Sequence, residues 1–138
     1  MSGESDLGRL LREMKPELQP GTFLFCSVAD GAVPDGVAPL ATFREREGLT
    51  LVVEKREAED CGLGGTFEAA WITLTVHSDL AAVGFLAAVA SALAREGIPC
   101  NAIAAYHHDH LFVPAPQAQL ALAALERLRR DGRACVES

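Results

Sequence analysis

The second half of the chain changes hydrophobic period in a fixed order, and that order leaves few folds open. "FEAAWITLTV", Phe67 to Val76, alternates: Ile72, Leu74 and Val76 point one way, and Trp71, Thr73 and Thr75 the other. "HSDLAAVGFLAAVASALAREGIP" then has helical spacing, with Val83, Leu86, Val89, Ala90 and Leu93 as its apolar stripe. Ser78 or Asp79 is expected to cap its start, Gly97 to take the left-handed stop, and Pro99 follows. "CNAIAAY" and "HLFVPA" return to strand pattern. "PQAQLALAALERLRRDG" is a closing helix with Pro116 in its first turn and Gly132 after it. "RACVES" can add a short final strand. Strand, helix, strand, strand, helix and strand make the split βαβ, ferredoxin-like arrangement, so the expected fold class is α+β.

The first half repeats part of this order. "SDLGRLLREMKP" puts Leu7, Leu10, Leu11 and Met14 on one helical face, and Pro16 stops it. "TFLFCSV" reads as a strand, and "ADGAVPDGVAP" as a long Gly/Pro loop. "LATFRERE" and "LTLVVEK" read as strands joined by a tight turn at Glu47 and Gly48, and "REAEDCG" as a short helix closed by Gly62. This half resembles the same unit without its leading strand, abbreviated or permuted; "RACVES" is a candidate to supply that strand from the far end. The expected division is an N-terminal unit at 1–64 and a C-terminal unit at 65–138. The first helix of the second half is alanine-rich nearly all round. It is therefore expected to cover its sheet and also a neighbouring helix, from the first half or a second chain. Trp71, on the open face of its strand, suits an interface between sheets or chains, or core packing.

Charge narrows the partners. A formal net charge of -7 over 138 residues gives no electrostatic footprint for nucleic acid. Arg127, Arg129 and Arg130 suit the negative end of a helix. No apolar run is long enough for a membrane span and no secretory signal opens the sequence, so a cytoplasmic protein is expected. Cys26, Cys61, Cys100 and Cys135 form no CxxC pair and no zinc spacing, which fits reduced thiols. "FREREG" reads as a solvated hairpin.

"AAYHHDHLFV", from Ala104 to Val113, holds three of the four histidines beside one aspartate. A metal site needs three or four converging donors. A strand would send His108 and His110 to one side and His107 and Asp109 to the other, splitting the set. A tight turn could gather them, yet no Cys or Glu nearby completes it. His77 and Asp109 could instead meet at strand ends as an acid/base pair. No nucleophile, phosphate loop or cofactor fingerprint accompanies them, and Ser78 is better used as a cap. No cofactor and no catalysis are expected. A metal or acid/base centre at His77 and His107–His110 stays as the alternative. The "HSDLAAVG" turn is either a plain capped helix start or a carboxylate site made by unpaired N–H groups, with Gly84 permitting close approach.

Two long stretches carry a family resemblance: "FREREGLTLVVEKREAEDCGL" and the segment from "AAWITLTVHSDL" through "GIPCNAIAAYHHDHLFVP". Their order W-I-T-L, H-S, V-G-F, G-I, N, A-Y-x-H-D-H-x-F-V resembles the small tandem ACT-domain proteins of bacteria, related to aspartokinase regulatory domains and the cytosolic arginine-sensor family. The resemblance implies two ferredoxin-like (βαββαβ) ACT units and a non-catalytic regulatory module that binds a small molecule, usually an amino acid. It places the site where the first strand turns into the first helix, between paired units. In this sequence that turn is His77 to Gly84; by motif only Val83, Gly84 and Asp109 carry over, and His77, Ser78, Asp79 and Asn101 complete the candidate ligand-binding set. Asp109 matches an acidic position that contacts the ligand in the arginine-sensor branch. A homodimer and a partner enzyme are the expected associations; a structural dimerisation module with an empty pocket is the remaining possibility.

Overall fold

The computed structural model describes residues 6–77, 79 and 82–131. They fall into two compact units: Pro20–Ala70, and Met1–Gln19 together with Trp71–Ser138.

In the Pro20–Ala70 unit, β2 (Phe23–Val28) pairs antiparallel with β4 (Gly48–Glu54), and β4 with the edge strand β3 (Ala41–Glu45). The other edge of β2 takes the first part of β5 (Thr66–Leu74), through Phe23↔Ala69 and Phe25↔Thr66. Leu24, Cys26, Leu49, Leu51 and Val53 alternate onto one face and close over Ala58 of the short helix α2 (Lys55–Asp60). The β3–β4 turn is Arg46–Glu47, one residue earlier than expected, because Glu45 and Gly48 already pair across it. Residues 29–40 form no helix between β2 and β3. Gly31 and Gly36 turn the chain there with positive φ. The loop is tied to the end of α2: Ala38 N–H donates to Glu57 Oε1 at 2.7 Å and the Cys61 thiol to the Asp35 carbonyl at 3.6 Å. The first unit is abbreviated by this missing helix. Phe67 takes a positive φ of 61° where the β2–β5 register shifts, and its ring meets Phe25 edge-on at 5.9 Å.

The other unit contains the expected strand–helix–strand–strand–helix order. The second part of β5 leads to α3 (Phe85–Arg95), β6 (Asn101–Ala104), β7 (Asp109–Pro114), a 3-10 turn at Ala115–Gln117 and α4 (Ala118–Arg130). β7 lies between β6 and β5. Its fourth strand comes from the N-terminus: β1 (Pro16–Leu18) pairs antiparallel with β5 through Pro16↔Leu74, Glu17↔Thr73 and Leu18↔Ile72. Helix α1 (Leu7–Glu13) is capped by Asp6, whose carboxylate accepts from Arg9 N–H at 3.0 Å. It carries Leu10 and Leu11 into the core of this unit; Met14 follows, and all three are fully buried. Residues up to Gln19 group with those from Trp71 onward, so the boundary of these compact units falls within β5. "RACVES", proposed to complete a sheet, lies outside the described residues, as does Gly132.

Helix α3 begins later than its spacing suggests. Its N-cap is Gly84, in the left-handed region at φ 90°, not Ser78 or Asp79. Asp79 instead closes a short turn in which its carbonyl accepts from Ala82 N–H at 2.8 Å. The buried stripe is Phe85, Val89, Ala92 and Leu93. Val83, expected in the stripe, is 84% exposed, and Ala90 also faces solvent. Gly97 ends the helix with φ 72°, while Ile98 N–H reaches back to the Leu93 carbonyl. α3 packs on α4 and α1, the neighbour-helix contact its alanine-rich surface implied.

Candidate ligand-binding site

The hairpin from β6 to β7 decides where "HHDH" goes. Ala104 pairs with Asp109 and Ile103 with His110, leaving a four-residue connection closed by Ala105 N–H donating to the His108 carbonyl at 3.0 Å. His107 and His108 are therefore turn residues, and Asp109 and His110 are strand residues on opposite faces. The two-and-two split expected of a continuous strand does not form.

Asp109 takes the helix-covered face. It is 6% exposed and lines a cleft of about 130 Å³ with Asp79 and Ala82. The opposite wall is the start of α3: Gly84, Phe85, Leu86 and Ala87, with Ala104 beside Asp109. Among the described residues no side chain caps α3, and its first turn holds no acidic residue. The first-turn amides carry the positive end of the helix dipole. One end of the cleft is thus suited to an anion and the other holds a buried carboxylate. Among the described residues its lining holds two carboxylates and no lysine or arginine. Its volume is well under the roughly 300–1,000 Å³ of sites for drug-sized ligands.

The structure brings Asp79, Gly84 and Asp109 together. It leaves Val83 outside, exposed, and places Asn101 on the exposed start of β6 opposite Phe112, away from the cleft. Asn101 is a residue of the edge strand and does not line this cleft. His77 is exposed and its ring faces His107 at 5.8 Å between centroids, with Tyr106 against His107 at 4.9 Å. His77 is not among the residues that line the cleft. Ser78 lies outside the described residues. Among the described residues no three metal-ligating side chains converge. Cys26, Cys61 and Cys100 are free thiols; burial pushes the Cys26 and Cys100 thiols up. Cys135 lies outside the described residues.

His110 takes the other face. Its Nδ1 accepts the Trp71 indole N–H at 3.0 Å and lies 3.1 Å from Thr73 Oγ1. Trp71 is half-buried, and Thr73 is 4% exposed. Burial pushes the His110 imidazole below its ordinary range, helped by the neighbouring His108 charge and opposed by Asp109. The sequence reading missed this group and also the Phe85–Ala87 and Ala104 walls. Strand alternation through "DHLFV" was the available signal, since it sends Asp109 and His110 to opposite faces.

Fold and cleft define a protein of two ferredoxin-like units, the second carrying a small acidic cleft at a helix start. Two family models described as ACT domain match the chain, at residues 2–70 and 66–127, and the chain belongs to the ACT-domain family. It is a tandem ACT protein, and this membership supports a regulatory ligand-binding module. A Vibrio cholerae protein of unknown function, described as a possible transport protein, is 48% identical with a TM-score of 0.81; the match covers 93% of this chain and 99% of that one. An Agrobacterium tumefaciens protein shares the fold at 20% identity and a TM-score of 0.64, over 84% of this chain and 89% of that one. So does the ligand-free regulatory subunit of aspartate kinase from Thermus thermophilus, at 14% identity and a TM-score of 0.63, over 85% and 97%. No curated protein sequence matches the chain. Among the described residues no helix is long and apolar enough to cross a membrane.

Proposed function

We propose that the protein is a non-catalytic regulatory module that binds an amino acid in the cleft of its second unit. The observation that carries this reading is the placement of a buried carboxylate, Asp109, in one small cleft with the Gly84-led start of α3. The helix start takes the ligand's carboxylate and Asp109 takes its ammonium. The cleft volume favours a short side chain. Two carboxylates, with no lysine or arginine among the described lining residues, disfavour a ligand with a second negative charge, so aspartate and glutamate bind least. Binding acts by changing how the protein pairs, with a second copy or with a partner enzyme in the cytoplasm, in proportion to the ligand's different affinity for the two states.

A thermal-shift screen of the full chain against the free amino acids tests this. A ligand at 100 times its dissociation constant adds about 2.7 kcal/mol of apparent stability. Asp109→Asn is expected to weaken the ligand found by about tenfold or more, since a charge-assisted hydrogen bond contributes roughly 1.5–3 kcal/mol. Calorimetry showing equal affinity in the variant would move the site elsewhere. A screen without any hit would remove the amino-acid reading.

A further inference from the structure

The sheet face turned away from the cleft carries a network that accepts only one protonation state of His110. Gln19, directly after β1, donates its side-chain N–H to Thr73 Oγ1 at 3.0 Å, and its backbone N–H to the Trp71 carbonyl at 2.9 Å. Thr73 Oγ1, which accepts from Gln19, lies 3.1 Å from His110 Nδ1, and its hydroxyl can donate to that nitrogen while it carries no proton. Trp71 Nε1 donates to the same nitrogen at 3.0 Å. The bonds run from the N-terminal segment, across β5, to β7.

An indole N–H can only donate. Nδ1 receives it only while that nitrogen carries no proton, which makes His110 neutral with its hydrogen on Nε2. In the imidazolium, N–H would face N–H. Thr73 can rotate its hydroxyl and accept from the charged ring, but Trp71 has no such option. Protonation therefore breaks the Trp71–His110 bond and reverses the Thr73 one. We propose that His110 is a proton-operated latch: neutral, it ties Gln19, Trp71 and Thr73 to β7; protonated, it releases them and loosens the strand that the N-terminus contributes.

Among the described residues the charged groups around the latch are few. His108 and Asp109 flank His110 on its own segment, Glu17 of β1 lies opposite Thr73, and the facing β6 residues are Asn101 and Ile103, which do not titrate. Burial first, then the His108 charge, shift the transition below the ordinary imidazole value of about 6.5, against the opposing pull of Asp109.

Trp71 is the single tryptophan of the sequence, so its emission reads the latch directly. The test is an emission titration of the full chain between about pH 8 and about pH 4, with far-UV circular dichroism in parallel and exchange of the Gln19 amide above and below the midpoint. Wild type is expected to show a one-proton emission transition at unchanged circular dichroism, with faster Gln19 exchange below it. His110→Asn, whose side-chain oxygen substitutes for Nδ1 and does not titrate, should be flat. His108→Asn should move the midpoint to higher pH. The latch is overturned by a transition that persists in His110→Asn, by flat wild-type emission, by emission that moves only with unfolding, or by Gln19 protection that ignores the midpoint.

Discussion

Leu11→Ala tests the assignment of the N-terminal helix to the C-terminal unit. Leu11 is fully buried, with Leu10 and Met14, on a helix that packs against α3 and α4. The substitution removes three carbons from the core, each contributing about 0.8 kcal/mol. The cavity left behind raises the cost to about 3 kcal/mol, within the measured range for buried leucines. That is a large share of the roughly 5–15 kcal/mol that holds a domain folded, and it lowers the folding constant by about a hundredfold. The assay is urea unfolding followed by the emission of Trp71, the first residue of the C-terminal part of that unit. At a slope of about 2 kcal/mol per molar, the midpoint should fall by about 1.5 M with the slope unchanged. Leu7→Ala, on the half-buried rim of the same helix, should lose less than half as much. If Leu11→Ala shifts the Trp71 transition by under about 1 kcal/mol, α1 is not part of that core and the division of the chain is wrong.

Two further outcomes follow from single positions. A Cβ at Gly65 would stand 2.8 Å from Cys26 Sγ and 2.9 Å from Leu24 Cβ, so Gly65→Ala should cost about 1–3 kcal/mol in chemical denaturation; parent-like stability would show that β2 yields there. His110 should also set a pH dependence of stability: its folded value lies below that of the unfolded chain, so the unfolded chain takes the proton first. Its contribution is full above about pH 6.5 and is lost as pH falls from there through the folded value, and denaturation curves of wild type against His110→Asn should converge on acidification.

The strand–helix–strand–strand–helix order was legible because β5 and β7 are short apolar runs rich in strand-forming residues and α4 buries one side, Ala118, Ala121, Ala124, Leu125 and Leu128. Helix α3 was legible as a helix but not in phase. Its alanines make every face apolar, so "HSDLAAVG" continues the pattern although Gly84 breaks it; the true stripe starts at Phe85. The fourth strand of the second unit was not legible. "PEL" is three residues with no period of its own, and it is a strand only because Leu74, Thr73 and Ile72 offer partners far along the chain. At the site, Gly84 and Asp109 were both named through the resemblance, and both line one cleft. Asn101 was drawn in by resemblance and lies away from it. The His110 network escaped because its members sit on three strands and none is unusual alone.

Strand alternation gives Asp109 and His110 separate environments although they are neighbours, and this sets the sign of any coupling between them. The Asp109 charge favours protonated His110. An ammonium held by Asp109 cancels part of that charge, so an amine ligand in the cleft opposes the proton on the far face. By linkage the proton weakens the ligand by the same factor. The reverse sign would mean that the ligand's carboxylate lies nearer the strand than its ammonium, with the helix start unused. The two readings also separate by substitution. Asp109→Asn removes the ligand's counter-charge and leaves the Trp71 bond intact, while His110→Asn removes the titration and leaves the cleft walls in place.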